Sequence, residues 1–145
     1  EVNFTPLNKR RKMNVNIIID QSKALPDFEN VLLSNENLSA IPDSACNNIR
    51  LDNVIDFMSD KQMGTLLQKI RHNGSIDIKS TDAMTIISQM HIGSIEFDKG
   101  SPLLSSGRLR LTSAPFVKDS LEKQGFIVEF AGVGKTEYQV IAKRP

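Results

Sequence analysis

The stretch that decides the fold runs from residue 14 to residue 34. It reads Asn14-Val15-Asn16-Ile17-Ile18-Ile19-Asp20, then Gln21-Ser22-Lys23-Ala24, then Leu25-Pro26-Asp27-Phe28-Glu29-Asn30-Val31-Leu32-Leu33-Ser34. The β-branched residues at 15, 17, 18 and 19 predict a short strand over residues 13–19. Residues 20–27 are turn-like, and residues 28–33 predict a second strand. Both apolar runs are nearly continuous, the pattern of strands buried on two faces.

Working outward, residues 34–48 carry Asn35, Asn37, Pro42, Asp43 and Asn47 and read as a loop. Residues 49–58 begin as a third strand and pass into a turn or short helix. Ser59 suits a helix N-cap with Asp60 in the first turn. Met63, Leu66, Leu67 and Ile70 follow at helical spacing, which predicts a helix to about His72, stopped by Asn73-Gly74. Ile76 and Ile78 alternate in a strand over residues 75–80. Thr81 or Asp82 caps a helix that runs to about His91 and ends at Gly93. Residues 103–110 are ambiguous. Pro115 opens a helix over residues 115–124, with Gly125 after it. Strands over 126–130 and 137–142 flank Gly132-Val133-Gly134-Lys135 as a β-hairpin. Strands alternating with helices and closed by a hairpin imply a mixed α/β sheet with helical layers, one domain over residues 13–145.

Composition bounds the function. The chain has 145 residues, a length for one domain, and 39% of them are hydrophobic, enough for a core. There is no Trp and one Tyr, so aromatic platforms for stacking bases are scarce. The net charge of +1 argues against strong attraction to nucleic acid or to a membrane. Cys46 is alone, so no intrachain disulfide and no Cys-x-x-Cys motif exists. No apolar run approaches the roughly 20 residues of a membrane span, and no stretch reads as a signal peptide. A reducing, cytoplasmic setting is the expectation. Lys9-Arg10-Arg11-Lys12 lies in a basic N-terminal extension over residues 1–12, read as a solvated linker.

The order of several segments resembles a small class I S-adenosylmethionine-dependent methyltransferase. Residues 14–34 are similar to that family's strand, Gly-x-Gly turn and "L-P-G-F-x-N-V-D" run. Ile41-Pro42-Asp43-Ser44 with Asn47 is similar to its "L-P-x-P-D-N-S-F-D" run. Ile70-Arg71-His72-Asn73-Gly74-Ser75-Ile76 resembles "L-K-P-G-G-x-L", and Gly125-Phe126 followed by Val128 resembles "G-F-x-V". The resemblance covers nearly the whole chain from Met13. It implies a trimmed Rossmann-like sheet, mostly parallel with a C-terminal antiparallel hairpin and helices packed on it. The helix between the first two strands is missing, because residues 20–27 have room only for a turn.

The positions that hold the cofactor in this family are altered. Ile18, Ile19 and Asp20 stand where the Gly-x-Gly would be, and Leu32 stands where an acid accepts from the ribose hydroxyls. Asn47 replaces the acid of the loop. Glycine is needed in such a turn because a Cβ blocks close approach of the backbone. The resemblance with these departures implies a degenerate methyltransferase-fold domain that is not catalytic. It would be a binding or structural module, through self-association or docking on a larger assembly, with no cofactor. The alternative is an active S-adenosylmethionine-dependent methyltransferase with an atypical site, in which Asp20 and Asn47 are the cofactor-binding candidates.

Other motifs carry blander readings. Gly132-Val133-Gly134-Lys135-Thr136 looks like the end of a phosphate loop, but Glu129 stands at the first glycine and a strand follows, so it reads as a hairpin turn. His72 and His91 each suit a helix C-terminus and lack metal-ligand spacing. Arg108 and Arg110 alternate with Leu109 and Leu111, as on an edge strand with one solvated charged face. Asp43 and Asp52 read as turn or surface residues.

Overall fold

Side-chain alternation organises the sheet. In strand β1 (Met13–Ile18), Val15 and Ile17 are fully buried and Asn14 is exposed. The same period of two runs through β3 (Cys46–Asp52), where Ile49 and Leu51 are buried and Arg50 is half-buried. It continues in β4 (Ile70–Thr81), where Ile76 and Ile78 alternate with Asp77 and Lys79. In β6 (Glu137–Lys143), Tyr138, Val140 and Ala142 alternate with Gln139, Ile141 and Lys143. The computed structural model describes residues 13–145. With β2 (Glu29–Leu32) and β5 (Ile127–Gly134), it forms one six-stranded sheet in the order β2-β1-β3-β4-β6-β5. The first four strands are parallel, and β6 is antiparallel to both β4 and β5. The basic cluster at 9–12 lies outside the described residues.

Register keeps the alternation in phase. Val15 lies beside Ile49, Ile49 beside Ile76, and Ile76 beside Ala142. Asn16 lies beside Asn30 and Arg50, and Arg50 beside Asp77. One face is therefore apolar and the other polar. Helices α1 (Asn35–Ala40), α2 (Asp60–Leu67) and α5 (Ala114–Lys123) all pack on the apolar face, where Leu38, Leu66, Val117 and Leu121 join the strand residues in one core. Side chains on the other face bond to each other across strands. Asn16 Nδ2 donates to Asn30 Oδ1 at 3.0 Å, Ser75 Oγ to Asn48 Oδ1 at 3.1 Å, and Gln139 Nε2 to Asp77 Oδ1 at 2.9 Å.

The expectation of strands buried on two faces holds for β1, where Val15 to Ile18 are all buried, and fails for β2, where only Val31 is. Between β1 and β2 the chain makes only a 3-10 turn (Gln21–Lys23), so no crossover helix covers that side. Parallel strands normally have both faces covered. Here the uncovered face is coded with Asn, Arg, Asp, Ser and Lys instead.

Three local expectations also change. Helix α2 starts as predicted, with a Ser59–Gln62 capping box, but ends at Leu67 rather than near His72. Ile70 is already in β4 beside Cys46, and Ser75 pairs with Asn48, so Asn73-Gly74 makes a turn within the strand. Asn73 takes φ 63° there. A Cβ on Gly74 would stand 2.8 Å from the Cys46 carbonyl oxygen, so only glycine fits that approach. Residues 34–48 are not all loop: Ser34 caps α1 by accepting from Asn37 N, and β3 starts at Cys46. A helix α4 (Phe97–Ser105) forms despite Gly100 and Pro102. It packs on α3 (Ala83–His91), because Gly100 lets the Met90 side chain sit where a Cβ would be. The hairpin is present, with β5 extended to Gly134 and Lys135 in the left-handed region at the turn.

The one-sided sheet sets a contrast in stability. Ile76→Ala should cost about 2–5 kcal/mol, whereas Asn48→Ala should cost about 1 kcal/mol or less. Urea unfolding of the two variants checks this, and equal losses would contradict the contrast between an apolar and a polar face.

Candidate functional site

The strand order reverses at β1. The chain leaves β1 toward β2 on one side, while β3 takes the other side. In open α/β sheets such a switch point leaves a crevice beyond the carboxyl ends of the strands. A cavity of about 260 Å³ lies there, lined among others by Asn16, Ile18, Lys23, Arg50, Asp52 and Asn53.

Its walls follow from local structure. Ile18 ends β1 and is 2% exposed. Asp20 then has φ −151°, an extended conformation, and caps the 3-10 turn by accepting from Ser22 N at 2.8 Å and from Ser22 Oγ. These two bonds hold its carboxyl below the usual carboxylate range. No residue from 13 to 26 lies in the left-handed region. The turn folds back over the polar face and is pinned by two asparagines. Asn16 Nδ2 donates to the Lys23 carbonyl at 3.2 Å. Asn30 accepts from Leu25 N at 2.9 Å and donates to the Leu25 carbonyl at 2.8 Å. Across the crevice, Arg50 Nη2 donates to Asp52 Oδ2 at 2.9 Å, and Asn53, at φ 58°, donates to Asp52 Oδ1 at 3.0 Å.

The two candidate site residues do not meet. Asp20 follows β1 and bonds to Ser22, while Asn47 lies in an irregularity at the start of β3. Five residues of strand, about 16 Å, separate Asn47 from Asp52 at the crevice end. Leu32 is half-buried, and its carbonyl accepts from Asn37 Nδ2 at 2.9 Å. Asn16, Asn30 and Arg50 escape a reading of the sequence by hydrophobic runs. Their signal is polar residues at every second position of strands that look continuously apolar.

A second polar cluster lies past the end of β3. Asp56 is 1% exposed; its Oδ2 accepts from Arg108 Nη1 at 2.7 Å and its Oδ1 from Thr112 Oγ1. Thr112 has given its only proton, so the Tyr138 hydroxyl, 2.8 Å away, donates to Thr112. Burial pushes the Tyr138 phenol up, so that proton stays in place. Arg108 also donates to Thr81 Oγ1 at 3.1 Å and to the Leu103 carbonyl at 3.0 Å, with its guanidinium 5.6 Å from the Phe57 ring centroid. This saturated cluster fastens residues 103–112 to the core. Arg108 and Arg110 are therefore not on a solvated strand edge: Arg110 pairs with Asp60, and neither lies in a strand.

The remaining candidates have structural roles. His72 sits in β4 with Nδ1 3.0 Å from the Pro145 carbonyl, not at a helix end, whereas His91 is in the last turn of α3. Asp43 accepts from the buried Lys69 at 2.7 Å. Cys46 is fully buried, and desolvation pushes its thiol up to about 12. No group of three His, Cys, Asp or Glu that could hold a metal ion occurs among the described residues. No helix among them is long and apolar enough to cross a membrane.

No family model and no curated protein matches the chain. Solved structures do. A SAM-dependent methyltransferase from Archaeoglobus fulgidus matches at TM-score 0.61 and 14% identity, over 96% of this chain and 89% of its own. A possible histamine N-methyltransferase from Thermotoga maritima matches at TM-score 0.64 and 12% identity, over 93% and 83%. A SAM-dependent methyltransferase from Aquifex aeolicus matches at TM-score 0.56 and 22% identity, over 81% and 56%. The chain thus has a Rossmann-like sheet of the class I SAM-dependent methyltransferase type. At these identities the likeness is one of fold.

Two outcomes are expected. Asp56→Ala leaves Arg108 charged and unpaired in the interior and should lower stability by about 3–5 kcal/mol in denaturant unfolding. Cys46 should resist a thiol reagent at pH 8 in the native protein and react once unfolded, because the nucleophile is the thiolate. Rapid native labelling would contradict its burial.

Proposed function

We propose that this chain is a methyltransferase-fold module that does not use S-adenosylmethionine and acts by binding other protein. The observation that carries this reading is the turn after β1. It is built from Ile18, Ile19 and Asp20 without a left-handed residue, and the Asp20 carboxyl is spent on capping residues 21–23. Two features support it. The crevice of about 260 Å³ falls below the roughly 300–1,000 Å³ of pockets that hold drug-sized ligands. Leu32, at the end of β2, has no side-chain oxygen for a ribose. The residues at the switch point therefore do not fit the cofactor of the fold's relatives.

A second reading, an active methyltransferase with an atypical cofactor site, draws on Asp52 and Asn53. They bring an acid and an amide to the crevice mouth. In that reading Asp20 would have to release Ser22, and Asn47 would act from the far end of β3.

Calorimetric titration with S-adenosylmethionine and S-adenosylhomocysteine separates the two. The proposal expects no saturable heat at about 1 mM ligand, weaker than about −4 kcal/mol of binding. Micromolar binding, lost in Asp52→Ala, would establish the second reading instead.

A further inference from the structure

With no crossover helix between β1 and β2, the crevice at the switch point reaches down the polar face of the sheet. It extends to Asn16 and Arg50, which lie side by side on β1 and β3, each two residues short of Ile18 and Asp52. A helix over that face would fill the space. Instead the turn at 20–25 folds across it and leaves it open. The walls are of two kinds. Ile18, Leu25 and Val54 supply apolar surface, and Lys23, Arg50 and Asp52 are the charged lining residues among those described.

The acids around this space are engaged, and one cation is not. Asp52 Oδ2 accepts from Arg50 Nη2 at 2.9 Å and its Oδ1 from Asn53 Nδ2 at 3.0 Å. Asp77, beside Arg50 on β4, accepts from Gln139 Nε2 at 2.9 Å. Asp20 accepts from Ser22. The Arg50 Nε–H, in contrast, is buried and has no hydrogen-bond partner among the described residues. A buried donor without an acceptor is costly, and more so on a charged group. Lys23 brings a second cation to the rim, so Lys23 and Arg50 against Asp52 leave the lining with a net charge of +1.

These features define a ligand by its chemistry. A lining of +1 is balanced by a monoanion and overbalanced by a phosphate dianion. A planar carboxylate matches a guanidinium better than a spherical ion does. The apolar walls call for a short hydrocarbon body behind the charge. At about 30 Å³ per water, the cavity of about 260 Å³ holds about nine waters, so a ligand of about seven to nine non-hydrogen atoms fits. We infer that the crevice binds a small monocarboxylate, with its carboxylate on Arg50 Nε and Lys23 and its hydrocarbon body against Ile18, Leu25 and Val54. The inference goes beyond the proposed function, in which this crevice takes no part.

Titration of the isotope-labelled full chain with isovalerate, followed by amide chemical shifts at constant ionic strength, tests it. Saturable shifts are expected at residues 22–25 and 50–54, with a Kd on the order of 1 mM for so small a ligand. The neutral isostere isovaleramide should bind at least about 10-fold more weakly, and so should isovalerate to Arg50→Gln. Lys23→Gln should weaken binding about 3-fold, and Lys118→Gln, exposed on α5, should leave it unchanged. Lys23 is exposed, so its variant keeps the fold and reads the site independently of Arg50. No saturation by about 50 mM ligand, equal binding of the amide, or full affinity in Arg50→Gln or Lys23→Gln would overturn the inference. Each of those results leaves the proposed function standing. Calorimetric binding of S-adenosylmethionine would instead overturn that function and leave the isovalerate result intact.

Discussion

The structure depends on one constraint: every second side chain of the central strands must leave water on the same side. Val15, Ile17, Ile49, Leu51, Ile76, Ile78, Val140 and Ala142 obey it together because their registers are in phase. A slip of one residue in any strand would put its polar set into the core. The placement of α1, α2 and α5 follows, since only one face offers apolar surface to bury. So does the short β1–β2 connection, since the opposite face is satisfied by its own amides and charges and by the folded-back turn at 20–25.

The carboxyl ends of the strands then become two unlike places. At the switch point the chain leaves a crevice, but its floor is β-branched and its turn is closed by Asp20 and the asparagine pair. Beyond β3, where the sheet would otherwise end in solvent, Asp56 gathers Arg108, Thr112 and through it Tyr138 into a dry polar knot. Such a knot is costly to desolvate and of little net stabilising value as an ion pair. What it gives is position: it fixes which side chains of residues 108–112 face in. The apolar outer surface of that segment is a consequence of the inner charge pairing.

Much of this is legible in the sequence. The strands at 13–18 and 137–143, the Ser59 cap, the Asp82 cap of α3 and the Pro115 start of α5 rest on local chemistry, and they stand close to where the residues suggest. The order of segments carries the methyltransferase-type fold. What is not legible depends on distant neighbours. Helix α4 contains Gly100 and Pro102, two residues that oppose helix, and it exists because α3 packs on it. Asn73-Gly74 has the chemistry of a helix stop, yet it turns within β4, because Ile70 finds Cys46 before the helix can reach it.

The sequence by itself determined the fold class and the altered turn, because alternation, caps and the absence of glycine at 18–20 act over a few residues. It also contained the alternation Asn14, Asn16 and Arg50, Asp52, although the neighbouring isoleucines masked it. Only the tertiary structure decided that the second face of the sheet is polar, with no crossover helix between β1 and β2, and that Asp20 and Asn47 stand apart at opposite ends of the strands. It alone also turned the Arg108 side chain inward. Its direction is set by Asp56, 52 residues away in the chain, and an ion pair across that distance has no local signature.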